Sequence, residues 1–256
     1  MCGVAEKMKT AAIITVAGAS TRFRNSIGKD CLKCIYSEKD EQDTLLMRQL
    51  SMCKTFDEVI IVGGYKFSEL ETFVKKYLRE YPIKIILVEN EHFEDYGSGY
   101  SLILGIQEAE KHGINQIVFL EGDLFFDSNT FKRIIENNNN VVTVNTDPIE
   151  AKKAVAFYIN ERGKINYIYD TAHSALSINE PFLGIYNSGQ VWKFLDASKL
   201  YKLTSELNQN EIEGTNLVLV QKYFGTLNQD EYEVLRFKDW INCNTVEDYR
   251  KVEKIK

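Results

Sequence analysis

Short apolar runs alternate with helix-like spacing through the first half of the chain. The run from Ala11 to Ala17 is almost continuously apolar, which is typical of a strand covered on both faces. Similar runs predict strands at 59–62, 83–88 and 117–120. Between the runs, apolar residues recur at helical spacing and predict helices from about residue 45, at 67–77 and at 99–111. Strands that alternate with helices predict βαβ units and a mostly parallel sheet.

The pattern changes after about residue 147. Residues 153–159 and 164–170 are predicted to be antiparallel strands around a turn at Glu161–Gly163. We interpret the asparagine run 137–140 as a loop after a helix. The remaining predicted elements are a strand at 182–186, helices at 192–207 and 217–224, a strand at 234–240 and a helix that opens near residue 246. The pattern therefore predicts an α/β chain, one domain with a small antiparallel lid.

Composition narrows the class of protein further. The 256 residues are 44% hydrophobic, and the formal net charge is -6 with a pI near 5.3. A basic face for nucleic acid is therefore not expected. The five cysteines form no paired framework, since the Cys31–Cys34 CxxC has no second pair at zinc spacing. Neither a signal-type leader nor a run near the ~18 apolar residues of a membrane span is present, so a cytoplasmic protein without membrane partners is expected.

The first stretch with candidate chemistry is VAGASTRF, from Val16 to Phe23, directly after the first predicted strand. A turn at such a place directs backbone N–H groups toward phosphates. Arg22 adds a planar fork of donors that matches phosphate oxygens. For this fragment alone, a surface turn with a solvated arginine is an equally good interpretation.

Two further stretches carry polar groups at strand ends. In FLEGDLFFD, Asp123 follows the fourth strand, where a carboxylate suits Mg²⁺ shared with phosphates. The alternative is an aspartate that caps the next turn. In WINCNTVEDYRK, Asn242 and Asn244 alternate with apolar residues and therefore share one face of a strand. Thr245, followed by Asp248, is otherwise a normal cap for the last helix.

Together the three stretches resemble the nucleotidyltransferase superfamily with a GT-A-like, Rossmann-like fold, which includes sugar-1-phosphate nucleotidyltransferases and bacterial phosphocholine cytidylyltransferases. The resemblance implies a Rossmann-like three-layer sandwich in one domain, residues 1–256, with a nucleotide-binding half at about 10–147 and an acceptor-binding half at about 148–256. Its opening motif matches Gly18 and Arg22. The phosphate-binding lysine of that motif corresponds best to Lys33, although Leu32 stands in place of the usual proline and Lys29 stays open.

The resemblance also implies roles for individual residues. It implies a catalytic set of Arg22, Lys33 and Asp123, and a Mg²⁺ site of Asp123, Asn242 and Asn244, with asparagines where the family has acidic ligands. The implied nucleotide-binding residues are Ala17, Gly18, Ala19, Ser20, Gly63, Gly64, Tyr65, Asn90, Ser98, Tyr100, Ser101 and Gly122. The implied acceptor-binding residues are Tyr169, Glu180, Gly184 and Tyr186.

Two segments favour the cytidylyltransferase branch: VGGY at 62–65 and NEHFEDYGSGYSLILGI at 90–106. The expected partners are CTP and an acceptor of the phosphocholine or 2-aminoethylphosphonate type, with Mg²⁺ as cofactor and pyrophosphate as product. A sugar-1-phosphate nucleotidyltransferase and a nucleotide-binding regulatory protein with little catalysis are the alternatives, and a homodimer stays open. A quaternary ammonium acceptor would need an aromatic cage. The candidates for such a cage are Tyr167, Tyr169, Phe182, Tyr186 and Trp192.

Overall fold

A computed structural model describes residues 8–151, 155–168 and 176–255. Its strands are β1 (Thr10–Thr15), β2 (Glu58–Gly63), β3 (Lys84–Glu89), β4 (Gln116–Glu121), β5 (Leu124–Phe126), β6 (Asn140–Val144), β7 (Ala156–Asn160), β8 (Ile165–Ile168), β9 (Phe182–Phe194), β10 (Tyr232–Arg236) and β11 (Trp240–Asn242). Its α-helices are α1 (Thr21–Ile27), α2 (Leu45–Met52), α3 (Phe67–Tyr77), α4 (Ser98–Lys111), α5 (Ser128–Glu136), α6 (Ala197–Ser205), α7 (Gln209–Ile212), α8 (Leu217–Phe224) and α9 (Val246–Val252). A 3-10 turn spans Lys33–Ile35.

The central sheet has the strand order β10-β6-β9-β4-β1-β2-β3, and every strand in it except β9 runs in the same direction. At its centre, Ala11 to Ile14 of β1 are completely buried, as their continuous apolar run predicts. Thr15, the last residue of β1, pairs with Val62 of β2 and Glu121 of β4. The carboxyl ends of these strands therefore meet at one edge, where ligands of open parallel sheets bind.

Helices cover both faces of this sheet. On one face, Ile13 and Phe119 pack with residues of α4, α6 and α8. On the other face, the next residues in each strand, Ile14 and Leu120, pack with residues of α2, α3 and α5. The predicted α/β class and Rossmann-like three-layer sandwich are thus confirmed. No helix in the described ranges is long and apolar enough to span a membrane.

The antiparallel lid is formed by β8, β7 and the first half of β9. Strand β9 then continues into the central sheet between β4 and β6, and Gln190 has a positive φ of 55° where the strand changes sheet. The predicted helix at 192–207 is therefore wrong at its start. Trp192 is a fully buried strand residue, and the helix begins only at Ala197, after Asp196 caps it.

Two other predictions need correction. The asparagine run does not end as a loop, because Asn140 begins β6 and its side-chain oxygen accepts hydrogen bonds from Leu195 N and Tyr223 Oη at 2.9 and 2.8 Å. The predicted strand at 234–240 is two strands, β10 in the central sheet and β11 paired with β5. In both cases contacts distant in sequence override a local pattern.

Replacing Asp127, the N-cap of α5, by alanine is expected to lower stability by about 1 kcal/mol. Its carboxylate accepts hydrogen bonds from the backbone N–H groups of Thr130 and Lys238 at 2.8 and 2.9 Å. Burial raises the pKa of Asp127, but these N–H groups outweigh burial and hold the pKa below its ordinary value. The stabilisation is therefore complete at neutral pH and is lost as the pH falls through that lowered pKa.

Thermal melting of the Asp127→Ala variant and the unchanged protein at several pH values tests this. The difference in Tm should be largest near pH 7 and shrink below about pH 4, near the pKa of an unperturbed aspartate. A constant difference across this range would contradict the capping role.

Candidate active site

A cavity of about 1180 Å³ opens at the carboxyl edge of β1 and β4. Its floor includes Thr15 to Gly18 and the turn from Glu121 to Asp123. The walls come from α4 on one side, the Leu32–Cys34 segment on another, and residues 242–248 near the chain end. The three stretches singled out in the sequence thus line one cavity, although some 220 residues separate the first from the last.

The turn from Glu121 to Asp123 is held from three directions. Gln49, buried on α2, donates through its side-chain amide to Glu121 O and Leu124 O, both at 2.9 Å. Gly122 N–H donates to Thr15 O at 2.9 Å, and Asp123 O accepts from Cys243 N at 2.9 Å. Because backbone bonds hold both sides of the turn, the carboxylates of Glu121 and Asp123 are presented in fixed positions.

Asp123 and Lys33 form an ion pair at the cavity, with Lys33 Nζ 2.9 Å from Asp123 Oδ2. Lys33 is only 8% exposed, and the 3-10 turn that it begins packs its ammonium against the β4–β5 turn. Lys29, the other candidate, is exposed and lines a separate shallow depression with Arg24 and Asp30. Of the two lysines, the fold brings Lys33 to the cavity.

Two buried oxygens at this point have no hydrogen-bond partner: Asp123 Oδ1 and Asn242 Oδ1. Buried polar atoms in proteins are nearly always paired, and a bound cation would pair with both of these oxygens. Asn242 is the last residue of β11 and pairs with Leu124 of β5, and Asn244 also lines the cavity. Within the described ranges, no cluster of three or more His, Cys, Asp or Glu side chains could hold a metal. A carboxylate and an amide oxygen fit Mg²⁺, which usually keeps substrate and water oxygens as its other ligands.

Arg22 lies in the first turn of α1 and lines the cavity with an exposed side chain. Within the described part of the chain its guanidinium makes no ion pair or hydrogen bond. Arg24, two residues on, is instead engaged: its Nη1 donates to Asp30 and to Tyr65 Oη at 3.0 and 2.8 Å. The fold therefore leaves Arg22 free to bind an anion in the cavity.

The residues predicted to bind the nucleotide divide into two groups. Those that line the cavity are Ala17, Gly18, Ser20, Asn90, Ser98, Ser101 and Gly122. Those that lie outside its wall are Ala19, Gly63, Gly64, Tyr65 and Tyr100. Tyr65 bonds to Arg24 and to Asp30, while Tyr100 packs edge-on against His92 and Tyr96 at 5.5 and 5.0 Å between ring centroids.

Of the four predicted acceptor residues, the three within the described ranges do not line the cavity. Glu180 accepts hydrogen bonds from Tyr158 Oη at 2.8 Å and Asn160 Nδ2 at 3.2 Å, and Gly184 lies on β9 where it pairs with β7. Tyr186 stacks on Phe157, and Tyr169 is outside the described residues. The lid instead contributes Val155, Ile168 and Leu176 to the cavity wall.

The aromatic residues considered for a cage around a quaternary ammonium also lie away from the cavity, within the described ranges. Trp192 Nε1 donates to Tyr167 Oη at 2.6 Å, and both side chains are buried in the core. Phe182 is exposed and packs against Tyr158. Of the five candidates, the four in the described ranges all lie outside the cavity wall, whereas Phe23, Phe93 and Tyr96 line it.

Sequence reasoning missed Glu121 and Asn216. The Asn216 side-chain amide donates to Glu121 Oε1 at 2.7 Å, and both residues line the cavity. Burial, and next the negative charge of Asp123, raise the pKa of Glu121 above its ordinary value, although the Asn216 amide and Lys33 oppose this. One signal was available: Glu121 is the charged residue that ends an otherwise apolar strand. Asn216 gave no signal, because an asparagine before a helix is the usual sign of a cap.

The fold with this cavity at its carboxyl edge defines the class: the chain has the nucleotidyltransferase fold, and the resemblance found in the sequence is confirmed at the level of fold. Residues 29–256 match the family model described as Domain of unknown function (DUF6564), and the chain belongs to that family. No curated protein matches the chain in sequence.

Three solved structures are similar over nearly the whole chain. An inositol-1-phosphate CTP transferase from T. maritima is 19% identical with a TM-score of 0.68, and the match covers 97% of this chain and 95% of that one. A protein assigned as a glucose-1-phosphate thymidylyltransferase from Bacillus anthracis is 14% identical with a TM-score of 0.70, covering 96% and 94%. A CTP:phosphocholine cytidylyltransferase from Streptococcus pneumoniae is 19% identical with a TM-score of 0.59, covering 97% and 99%.

Proposed function

We propose that this chain is a nucleotidyltransferase that transfers CMP from CTP to a small phosphorylated or phosphonate acceptor and releases pyrophosphate. The observation that carries the proposal is the meeting of Arg22, Lys33 and Asp123 at one cavity beside two unpaired buried oxygens. Two cations and a carboxylate arranged in this way suit a triphosphate with its Mg²⁺. The three similar structures, which by their titles are nucleotidyltransferases, support the same reaction class.

In the proposed reaction an anionic oxygen of the acceptor attacks the α-phosphorus. The new P–O bond forms as the bond to the β-phosphate bridging oxygen breaks, and pyrophosphate leaves with that electron pair. No general base is required, because the attacking oxygen is already deprotonated. The residues then act by positioning and by stabilising charge: Arg22 and Lys33 bind phosphate oxygens, and Asp123 with Asn242 would hold Mg²⁺. When bound, Mg²⁺ supplies further neutralisation of phosphate charge.

The choice of nucleotide is tested by comparing kcat/KM for CTP, UTP, ATP and GTP with one productive acceptor, using pyrophosphate release. We expect CTP to exceed both purine triphosphates by a large margin, because a site hydrogen-bonded to one base edge leaves its groups unpaired with a wrong base. Preference for a purine would refute the cytidylyltransferase assignment, and preference for UTP would favour a sugar-1-phosphate enzyme. Tight nucleotide binding without pyrophosphate release would indicate a regulatory protein.

A sugar-1-phosphate nucleotidyltransferase is the second candidate, and the similar structure assigned as a glucose-1-phosphate thymidylyltransferase favours it. Of the aromatic residues considered for a cage around a quaternary ammonium, Tyr167 and Trp192 are buried in the core, whereas Phe23, Phe93 and Tyr96 line the cavity. A hydroxylated acceptor or one with a primary ammonium can be recognised by hydrogen bonds alone. Sugar 1-phosphates and 2-aminoethylphosphonate therefore belong in the first acceptor screen beside phosphocholine.

Replacing Arg22 by alanine is expected to raise KM for the nucleotide and to lower kcat, with a combined loss of about 10- to 100-fold in kcat/KM. Contacts to the triphosphate act in both the ground state and the transition state, and a charge-assisted hydrogen bond has this magnitude. Arg24→Ala is the matched control on the same helix, since Arg24 is bonded to Asp30 and Tyr65. Equal kinetics in Arg22→Ala and the unchanged protein would show that Arg22 is only a surface residue.

A further inference from the structure

The side chains of Glu121 and Asn216 form a hydrogen-bonded pair at the cavity, with Asn216 buried and Glu121 half-buried, and the proposed reaction does not use this pair. Glu121 follows Leu120 in β4 and therefore projects from the same face of the sheet as Phe119, toward α4 and α8. There the Asn216 amide donates to Glu121 Oε1 at 2.7 Å. Within the described residues this is the one hydrogen bond that the Glu121 carboxyl receives.

Asn216 occupies the N-cap position of α8 but does not act as a cap. Its side chain makes no cap hydrogen bond, and the hydroxyl of Thr215 accepts from Leu217 N at 3.0 Å instead. Asn216 is only 3% exposed, and its own N–H donates to Ser98 Oγ at 3.2 Å. The Asn216 side-chain amide is therefore held in place and bonds to the Glu121 carboxyl, although asparagine at this position commonly caps the helix instead.

The loop before Asn216 is fastened directly onto the start of α4. Gly97 N–H donates to Glu213 O at 2.8 Å, and Gly99 N–H donates to Gly214 O at 3.1 Å. A Cβ at Gly97 or Gly99 would lie 2.4 or 2.8 Å from Gly214 O, so this approach requires glycine at both positions. The two glycines thus have a structural role: they admit the loop that carries Asn216.

One hydrogen bond leaves acceptor sites on the Glu121 carboxyl unused, because the ionised form has about four such sites and the protonated form still keeps its carbonyl oxygen. Lys33, a cation that also lines the cavity and acts electrostatically on Glu121, is already bonded to Asp123 Oδ2. Burial of an incompletely paired carboxylate is costly, and a ligand group that donates a hydrogen bond would remove that cost. The remaining acceptor sites of Glu121 line the cavity, where a substrate can reach them.

We propose that Glu121, positioned by Asn216, determines substrate specificity by accepting a hydrogen bond from a hydroxyl or primary ammonium group of a bound substrate. The proposal rests on the function proposed above. The donor is either a ribose hydroxyl of the nucleotide or a group of the acceptor, since the cavity that Glu121 lines is also lined by Asn90 and Ser101 and by the lid-side residues Val155 and Ile168.

The experiment compares Glu121→Gln with the unchanged protein on pairs of substrates that differ by one donor group. The nucleotide pairs are CTP against 2′-deoxyCTP and 3′-deoxyCTP. The acceptor pairs are phosphoethanolamine against phosphocholine, and glucose 1-phosphate against its 2-deoxy form. Glutamine keeps the shape and one neutral acceptor oxygen, so kcat/KM for the substrate with the donor should fall about 10- to 100-fold, and its partner without the donor should change far less.

If kcat/KM of Glu121→Gln falls only for the donor-bearing nucleotide, Glu121 bonds to the ribose. If kcat/KM falls only for the donor-bearing acceptor, Glu121 bonds to the acceptor. An equal loss on both members of every pair, or no loss, overturns the proposal. Asn216→Ser should reduce the same discrimination ratio if Asn216 positions Glu121, a change that a purely structural role would not produce. Glu110→Gln, on the exposed side of α4, is the matched control, and thermal melting checks that each variant folds.

Binding measurements keep this test separate from that of the reaction. If no triphosphate yields pyrophosphate with the unchanged protein, the proposed function fails. Calorimetric affinities of the same nucleotides and acceptors, measured singly on the unchanged protein and on Glu121→Gln, then still decide the role of Glu121. Equal affinity changes within every pair would overturn it.

Discussion

Asp123→Ala is expected to abolish turnover, and Asp123→Asn to reduce kcat/KM by at least about 10²- to 10³-fold, the effect of removing one preorganised electrostatic group from an active site. Asp123 Oδ1 is buried without a partner, and its Oδ2 holds the Lys33 ammonium at 2.9 Å. Both substitutions remove the negative charge that would attract a divalent cation, and both release Lys33. Asparagine retains one neutral oxygen, so its loss should be the smaller of the two.

Activity across a Mg²⁺ titration, together with Mn²⁺ binding followed by electron paramagnetic resonance in the presence of CTP, measures the effect of Asp123. We expect weaker Mn²⁺ binding in both variants. Asp127→Ala is the control, because Asp127 is a cap outside the cavity whose loss should lower Tm and leave kcat unchanged. Near-normal activity of Asp123→Ala at limiting Mg²⁺ would refute the assignment of the metal site.

Lys33→Met is expected to lower kcat/KM for the nucleotide by about 10²-fold or more, while Lys29→Met should change it less than about threefold. Methionine retains the apolar stem of lysine, so the first variant chiefly removes a charge that lies in the cavity wall. Such a charge, in a site shielded from water, acts more strongly on a phosphate than a solvated one. Lys29 is exposed and points into a different depression.

Steady-state kinetics of the two lysine variants, measured side by side with CTP, decides between them. Thermal melting should accompany the kinetics, because Lys33→Met also leaves the Asp123 carboxylate without its partner. A large loss in Lys29→Met with normal activity in Lys33→Met would transfer the phosphate-binding role to Lys29. Equal and small effects in both would remove a lysine from the proposed mechanism altogether.

The sequence by itself determined the strands and helices whose pattern of apolar residues matches their burial in the fold. The strands β1, β2 and β4 are nearly continuous apolar runs, since a strand covered on both faces has few polar positions. Helix α8 was predicted at 217–224, its observed bounds, and its apolar residues pack against α6 and β8. The parallel alternation then implied the class of fold, and the family resemblance in the three stretches implied Arg22, Lys33 and Asp123 as the catalytic set.

The tertiary structure alone decided which polar residues belong to the cavity. A local pattern records which side of an element a residue occupies, but not which distant segment lies beside it. Trp192 has a helix-like neighbourhood in sequence, yet it is a core strand residue because β9 inserts between β4 and β6. Asn216 has the sequence signature of a cap, yet it bonds to Glu121 because the 213–216 loop is packed onto α4. The part of the cavity wall formed by Val155, Ile168 and Leu176 also depends on long-range packing, and this is why these residues were not predictable from their own segments.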